Sequence, residues 1–299
     1  YLFFLGLGLG LLAKGPIIGV LTLPPILIWC LIQNNLISSL KKAPWVLGSF
    51  LLILIAVPWY FLTEAASPGF IDYFIVGEHF NRYFNSGWVG DKYGFPKQQP
   101  FGIVWGFLIV FCLPWSLVFI QTLWRNFKKL KKDSWSLFLL TWILWTPLFF
   151  TTSTSLIHPY ILPVTIPMAL WIHHYWDEIK LKILFLKIGL AFPFLILITY
   201  LSGFANSILE NNTDEYLVKN TKNIPVYALD FKSYSSQFYT KGKIKIVDTI
   251  TLHNLILNKD DFNILIDHSR LKLLSTKLQE SLTPIESNKK RAMYVQKNK

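Results

Sequence analysis

Trp45-Val-Leu-Gly-Ser-Phe-Leu-Leu-Ile-Leu-Ile-Ala-Val-Pro-Trp-Tyr-Phe-Leu-Thr63 is an unbroken run without a single charged side chain. A helix rises 1.5 Å per residue, so about 20 apolar residues cross the ~30 Å hydrocarbon layer of a bilayer. The run reads as a membrane span, and it sets the class of the chain. Similar runs flank it at 1–13, 16–32, 101–123, 136–150, 159–175 and 183–202, which predicts about seven spans joined by short loops, with one long loop at 64–100. Beyond residue 202 the apolar runs stop. The expected fold class is therefore an α-helical polytopic membrane protein with a small C-terminal α/β domain, divided as 1–202 and 203–299.

Composition agrees. The chain is 53% hydrophobic and 15% charged, against roughly 25% charged residues in soluble domains. The net charge of +12 is gathered in short loops, where Lys and Arg signal topology and meet anionic lipid. No basic stripe interleaved with aromatics accompanies it, which excludes nucleic acid as a partner. Loop 33–44 carries Lys41 and Lys42 without an acid, and loop 124–135 carries Arg125, Lys128, Lys129, Lys131 and Lys132 against Asp133. Both are expected on the cytoplasmic side, and the two spans between them agree in parity. Loop 64–100, segment 151–158 and the C-terminal domain then lie outside. Trp45, Trp59, Trp115, Trp135, Trp171 and Trp176 fall near span ends, as an interfacial belt would place them. Cys30 and Cys112 sit within apolar runs and read as packing residues. Residue 1 is Tyr and opens into Leu2-Phe3-Phe4-Leu5 without a charged leader, so the natural N-terminus is expected upstream, with the N-terminal part missing.

In the tail, 224–229, 243–248 and 262–267 have strand-like content, and 233–239, 249–257 and 269–281 read as helices between them. No glycine-rich phosphate loop and no metal-spaced Cys/His set occurs there, so a supporting role is expected.

Three polar groups stand where a membrane helix meets water. Lys14, in Leu-Leu-Ala-Lys14-Gly15-Pro16, separates two apolar runs. A cation at bilayer depth costs about 2.5–3.5 kcal/mol on insertion scales. It reads either as a phosphate contact, with Gly15 allowing close approach, or as a turn lysine reaching for the interface. In loop 64–100, Asp72, Glu78, His79 and Arg82 lie among Phe70, Tyr73, Phe74, Phe80, Tyr83 and Phe84. On a helix Glu78 and Arg82 share a face. Glu78 and His79 offer an oxygen and an imidazole that suit a divalent metal, with further ligands from elsewhere; the alternative is an amphipathic interfacial helix with an ordinary ion pair. Segment 151–163 brings hydroxyls, His158 and Tyr160 to the outer face, where Pro159 and Pro163 interrupt helix regularity. They leave either a cavity or a capped, proline-tolerant first turn. His173 and His174, at the opposite end of that span, read as interfacial.

These pieces in this order resemble the polyprenyl-phosphate-sugar-dependent glycosyltransferases of the GT-C fold. They are most similar to the bacterial lipid A 4-amino-4-deoxy-L-arabinose transferases, relatives of the protein O-mannosyltransferases. The matching pieces are Gly8-Leu-Gly-Leu-Leu-Ala-Lys-Gly-Pro16, Pro58-Trp-Tyr60, Pro68-Gly-Phe-Ile-Asp-Tyr-Phe74, Glu78-His79 with Arg82, Leu113-Pro-Trp-Ser116 and Tyr160-Ile-Leu-Pro163. They extend over about residues 1–200, and an external soluble C-terminal domain also fits. The resemblance implies that Lys14 contacts the lipid phosphate, that His79 with Glu78 beside it takes part in a metal site, and that Tyr160 lies near the phosphate. Two departures stand out. The lysines that the family commonly carries before that tyrosine are replaced here by Ser153-Thr-Ser-Leu-Ile-His158, where His158 could substitute in part. The family's catalytic Asp lies in a first external loop expected upstream of Tyr1, so no catalytic acid can be named in this chain.

The implied function is a membrane glycosyltransferase. It would move a sugar from a polyprenyl phosphate to lipid A, another glycan or a protein, at the outer face of the cytoplasmic (inner) membrane. Lys14, Arg82 and a divalent metal would stabilise the departing phosphate, with no nucleotide cofactor. The alternatives are an oligosaccharide polymerase or ligase, and a lipid-linked-sugar flippase. A flippase should carry ionisable groups near mid-span, whereas here they gather at the outer face. A polymerase or ligase should carry a basic external loop, whereas loop 64–100 is mixed in charge.

Overall fold

The computed structural model describes residues 1–85, 88, 90, 98–153, 155–219, 221 and 224–296; most of the second half of loop 64–100, together with Thr154, lies outside the described residues. The chain divides into two compact units, Tyr1–Ala191 and Phe192–Lys299.

The first unit is helical. Its elements are α1 (Leu2–Lys14), α2 (Ile17–Ile32), α3 (Leu36–Lys42), α4 (Trp45–Ala66), a π-helix (Asp72–Asn81) that runs on into α5 (Arg82–Phe84), α6 (Ile103–Phe111), α7 (Trp115–Asn126), α8 (Ser134–Phe150), a 3-10 segment (His158–Val164) and α9 (Thr165–His174). Helix α10 (Lys182–Leu201) crosses from this unit into the second. Among the described residues, α4 and α10 are each long and apolar enough to cross a membrane unbroken; α1, α2 and α8 are apolar but shorter.

Two helix pairs organise the bundle. Helices α1 and α4 run parallel, with Gly48 under the ring of Phe4, Gly8 against Ile55, and the Tyr60 hydroxyl donating to the Leu11 carbonyl at 2.8 Å. Small residues let the backbones approach, which is how helices associate where water supplies no hydrophobic drive. Helices α2 and α8 run antiparallel. Their seam is laced by indole N–H groups: Trp145 donates to the Val20 carbonyl at 2.8 Å and Trp29 to the Ser134 carbonyl at 2.9 Å. The core behind them centres on Val104, Val118, Leu139, Ile143, Leu156, Val164 and Trp171, all fully buried.

The expected span 101–123 is a broken one. Helix α6 and the helix that follows Pro114 meet at 102°. Proline lacks the N–H needed to continue a helix. The broken pair still connects the two ends of the bundle. At one end Gly102 donates its amide to the Thr151 carbonyl at 3.2 Å and Trp105 its indole to the Thr151 hydroxyl at 3.0 Å. At the other, Asn126 donates to Glu178 at 2.7 Å, near the start of α8. The expected span 159–175 is likewise split into a 3-10 turn and α9, because Pro159 and Pro163 fall in its first turns.

Two readings at the Ser134 end need correction. Trp171, expected at the membrane interface, is fully buried and donates to the Thr122 hydroxyl at 2.8 Å; a tryptophan near a helix end serves the core as readily when a hydroxyl meets its N–H. His174, read as a bystander, bonds the Asp133 carboxylate at 2.9 Å. Asp133 caps α8 by accepting from the amides of Trp135 and Ser136, and takes the Ser136 hydroxyl at 2.5 Å. Burial raises the Asp133 pKa, but the bonds from Ser136 and His174 outweigh it, and the carboxyl ionises below the ordinary aspartate range. Cys30 and Cys112 are free and buried.

The second unit carries a five-stranded mixed sheet of order β2-β1-β3-β5-β4. Strands β1 (Val226–Leu229), β2 (Lys245–Val247) and β3 (Asn263–Asp267) are parallel and alternate with α11 (Tyr234–Tyr239) and α12 (Thr249–Leu257), as the sequence predicts. The helix expected at 269–281 is two short ones, and the chain ends in an antiparallel hairpin, β4 (Leu282–Ser287) and β5 (Arg291–Gln296), that the sequence reading does not include. Arg291 on β5 reaches the buried Asp214 at 2.9 Å and ties the hairpin to the start of the domain.

Two outcomes follow. A Cβ at Gly48 would lie 2.4 Å from the Phe4 ring, so Gly48→Ala should destabilise the detergent-solubilised protein by about 1–3 kcal/mol, read from its thermal midpoint. A carboxyl with a depressed folded-state pKa adds stability above the unfolded value near ~3.9 and loses it as pH falls through the folded one. Asp133→Asn should thus lower the midpoint at neutral pH, and the gap to the parent should narrow as the pH falls through the ordinary aspartate range and close once Asp133 is protonated in the folded protein.

Candidate functional site

The polar residues singled out in the first unit gather at one end of the bundle, where α1, α4 and α8 finish and α6 begins. The corner between α1 and α2 is made by Gly15, at φ 72° in the left-handed region that L-residues with a Cβ avoid. Lys14 precedes it and is exposed; among the described residues no side chain pairs with its ammonium.

The π-helix packs on this corner. Its i→i+5 hydrogen bonding brings residues five apart onto one face. The Tyr73 hydroxyl donates to Glu78, and the His79 Nδ1 lies 2.7 Å from the Phe74 carbonyl. The other ring nitrogen of His79, Nε2, lies 3.1 Å from the Lys14 carbonyl. A Cβ on Gly15 would stand 2.7 Å from the Phe74 ring and 2.9 Å from that of His79. Gly15 therefore allows the close approach of Phe74 and His79, a role the sequence reading had given to an anion. Beneath the π-helix an aromatic layer joins it to α4: Trp59 meets Phe70 edge-on at 5.4 Å and Phe70 stacks on Phe74 at 5.3 Å. Glu64, at the end of α4, accepts from the amides of Gly69 and Ile71 at 2.8 and 2.7 Å and closes the turn that leads into the π-helix.

Glu78 and Arg82 form the expected i,i+4 ion pair at 3.0 Å, both largely shielded. One residue on, the Tyr83 hydroxyl bonds the Phe149 carbonyl at 2.6 Å and the Thr152 hydroxyl at 2.7 Å, fastening loop 64–100 to the end of α8. The Tyr160 ring lies tilted against Phe150 with centroids 5.1 Å apart, and the His158 ring against Phe111 at 5.0 Å. Lys14 with His79, and Glu78 with Arg82, are thus brought together. Tyr160 and His158 share the same end through α8 and α6, and no hydrogen bond or ion pair joins them to Lys14 or His79 among the described residues.

A metal does not fit this arrangement of residues. The carboxylate of Glu78 is engaged by Tyr73 and Arg82, and both nitrogens of His79 face backbone carbonyls. Among the described residues no three His, Cys, Asp or Glu side chains gather as a ligand set.

Sequence reasoning did not anticipate Tyr73, Tyr83 and Glu64 as the residues that fix the site. Tyr73 stands five before Glu78, a spacing that carries meaning only on a π-helix. An apolar groove of about 310 Å³ was also not located; Leu2, Phe3, Leu7, Ile18, Phe138 and Trp142 are among its lining residues.

Comparison with known proteins follows this geometry. The family described as dolichyl-phosphate-mannose-protein mannosyltransferase matches residues 1–74. The undecaprenyl phosphate-alpha-4-amino-4-deoxy-L-arabinose arabinosyl transferase of Enterobacter sp. (strain 638) is 30% identical over 172 residues, 56% of this chain and 28% of that protein. The corresponding protein of Erwinia tasmaniensis is 29% identical, over 58% of this chain and 30% of its own. The chain thus spans less than a third of the length of these curated relatives. The crystal structure of ArnT from Cupriavidus metallidurans bound to undecaprenyl phosphate superposes with a TM-score of 0.70 at 15% identity, covering 98% of this chain and 68% of that one. The apo structure of the same protein gives 0.64.

Gly15→Ala should cost about 1–2 kcal/mol in backbone strain alone and displace His79, seen as a lower thermal midpoint and as faster proteolysis within residues 64–84. In fold this chain is similar to ArnT of Cupriavidus metallidurans, and over part of its length its sequence is similar to the bacterial undecaprenyl phosphate-alpha-4-amino-4-deoxy-L-arabinose arabinosyl transferases and to the dolichyl-phosphate-mannose-protein mannosyltransferases.

Proposed function

We propose that this chain carries the donor-phosphate end of a membrane glycosyltransferase, which moves a sugar from a polyprenyl phosphate to an acceptor at the outer face of the cytoplasmic membrane. The observation that carries this reading is Lys14: an exposed ammonium without a side-chain partner among the described residues, at the end of an apolar helix, on a corner held in place by His79. A cation so placed meets an anion that arrives in the plane of the membrane surface. The lipid tail has somewhere to go. Leu7 of the apolar groove lies seven residues below Lys14 on the same helix, about 10 Å at helical rise.

In this reading the polyprenyl phosphate is the leaving group. Negative charge grows on its oxygens as the glycosidic bond breaks, and fixed cations stabilise that charge more than the ground state. Lys14 supplies a point charge. Arg82, paired with Glu78, would add the positive charge of its guanidinium. Tyr160 and His158 lie at the same end and would offer a hydroxyl and an imidazole towards the phosphate, His158 substituting in part for the lysines that the resemblance leads one to expect before Tyr160. His79 acts through the Lys14 backbone and is a positioning residue. The acceptor, whether lipid A, another glycan or a protein, is deprotonated or oriented by a carboxylate that no residue of this chain is assigned to supply. The C-terminal unit would lie on the outer side by the parity of the spans.

In the full-length gene product supplied with a polyprenyl-phosphate sugar, Lys14→Ala should lower turnover about a hundredfold, while Lys42→Ala, at the far end of the bundle, should leave it unchanged. Sugar transfer measured by mass spectrometry of the acceptor decides; full activity of Lys14→Ala removes the phosphate role.

A further inference from the structure

The turn between α7 and α8 holds a second set of unpaired cations, far from Lys14. Lys128, Lys129, Lys131 and Lys132 are all exposed, and none has an ion pair or hydrogen bond to a described side chain. Asp133, the one carboxylate of the segment, is engaged by Ser136, by His174 and by the capped amides of α8. Arg125 is turned towards the Glu178 carbonyl at 3.0 Å.

The turn is also fixed in shape. A 3-10 turn over Phe127–Lys129 is followed by bonds from the Lys132 amide to the Lys129 carbonyl at 2.9 Å and from the Asp133 amide to the same carbonyl at 3.2 Å. Between the lysines Leu130 plugs into the core at 5% exposure, and buried Asn126 is held by Glu178. Around the lysines stand three exposed rings: Trp124, 81% exposed, Phe127 and Trp135.

We propose that this turn is a docking site for the headgroups of anionic phospholipids. Four ammonium groups without acids attract a dense negative surface, and a turn held by its own backbone bonds has little ordering entropy to lose on binding. The rings choose between a lipid and a soluble acidic partner. Trp124 and Trp135 lie at the ends of two membrane helices, the level at which amphipathic rings settle among headgroups. The lysines leave the same helix ends, so a phosphate layer meets them without the rings being stripped from lipid. Each lysine near an anionic surface strengthens binding about fivefold.

The full chain reconstituted in nanodiscs of phosphatidylcholine mixed with phosphatidylglycerol provides the test, with retained lipid counted by native mass spectrometry. The parent should retain phosphatidylglycerol preferentially. The preference should fall with added salt, vanish in the Lys128→Gln/Lys129→Gln/Lys131→Gln/Lys132→Gln variant and survive in the matching Lys→Arg variant. Equal retention of both lipids by the parent, or an unchanged preference in the glutamine variant, overturns the proposal. Should that variant fail to insert, a parent preference that is indifferent to salt does so instead. Binding of polyglutamate in detergent that phosphatidylglycerol fails to displace would assign the turn to an acidic protein partner and likewise overturn it.

Discussion

The contact between the His79 imidazole and the Lys14 carbonyl, 3.1 Å across a left-handed glycine, holds the Lys14 end of the molecule together. A helix that ends within or near a bilayer leaves its last carbonyls without partners, and unsatisfied backbone there costs several kcal/mol. Here a side chain from a segment 65 residues away takes up one of them. The same imidazole also faces the Phe74 carbonyl. With one ring nitrogen on each carbonyl, the imidazole couples the end of α1 to the π-helix. Everything else at this end is arranged around that coupling. The aromatic layer of Trp59, Phe70 and Phe74 supports the π-helix from below, and Tyr83 fastens its far side to α8.

The opposite end is built on a different logic. There a capped helix start, a histidine and a hydroxyl pair share one carboxylate, Asp133, and the cations beside it stay outside the network. Among the described residues, one end of the bundle thus offers the Lys14 ammonium beside a shielded ion pair, and the other a cluster of unpaired ammonium groups. Charge is distributed by what each face meets rather than by the needs of folding.

Much of this was legible in the sequence. Uninterrupted apolar runs mark helices because backbone groups in hydrocarbon have no alternative partner, and the strands at 226–229, 245–247 and 263–267 follow their β-branched and apolar content. The Glu78–Arg82 pair follows from helical spacing. The missed features have physical causes. The terminal hairpin escapes because β4 is an exposed edge strand that tolerates Pro284, and its burial does not alternate cleanly. Trp171 escapes because an indole at a helix end is equally at home in lipid headgroups or against a buried hydroxyl, and only packing decides. The bend at Pro114 could be suspected from the proline, but its size depends on which helices flank it. The meeting of Lys14 with His79 is a tertiary fact, for nothing in either motif states that they touch. The resemblance to the GT-C transferases assigned roles to both residues, and the geometry gives His79 a structural one.

The π-helix has a genetic consequence. A stretch wound with i→i+5 bonds holds one residue more per loop of hydrogen bonding than an α-helix of the same length, and the two forms interconvert by the loss or gain of a single codon. Deleting one residue at the start of the π-helix, such as Asp72, would let the segment tighten, and each residue position on an α-helix is worth about 100° of rotation. Glu78, His79 and Arg82 would swing together to another face of the helix and leave the Lys14 corner. At this segment the register of loop 64–100 relative to the corner is therefore counted to the residue.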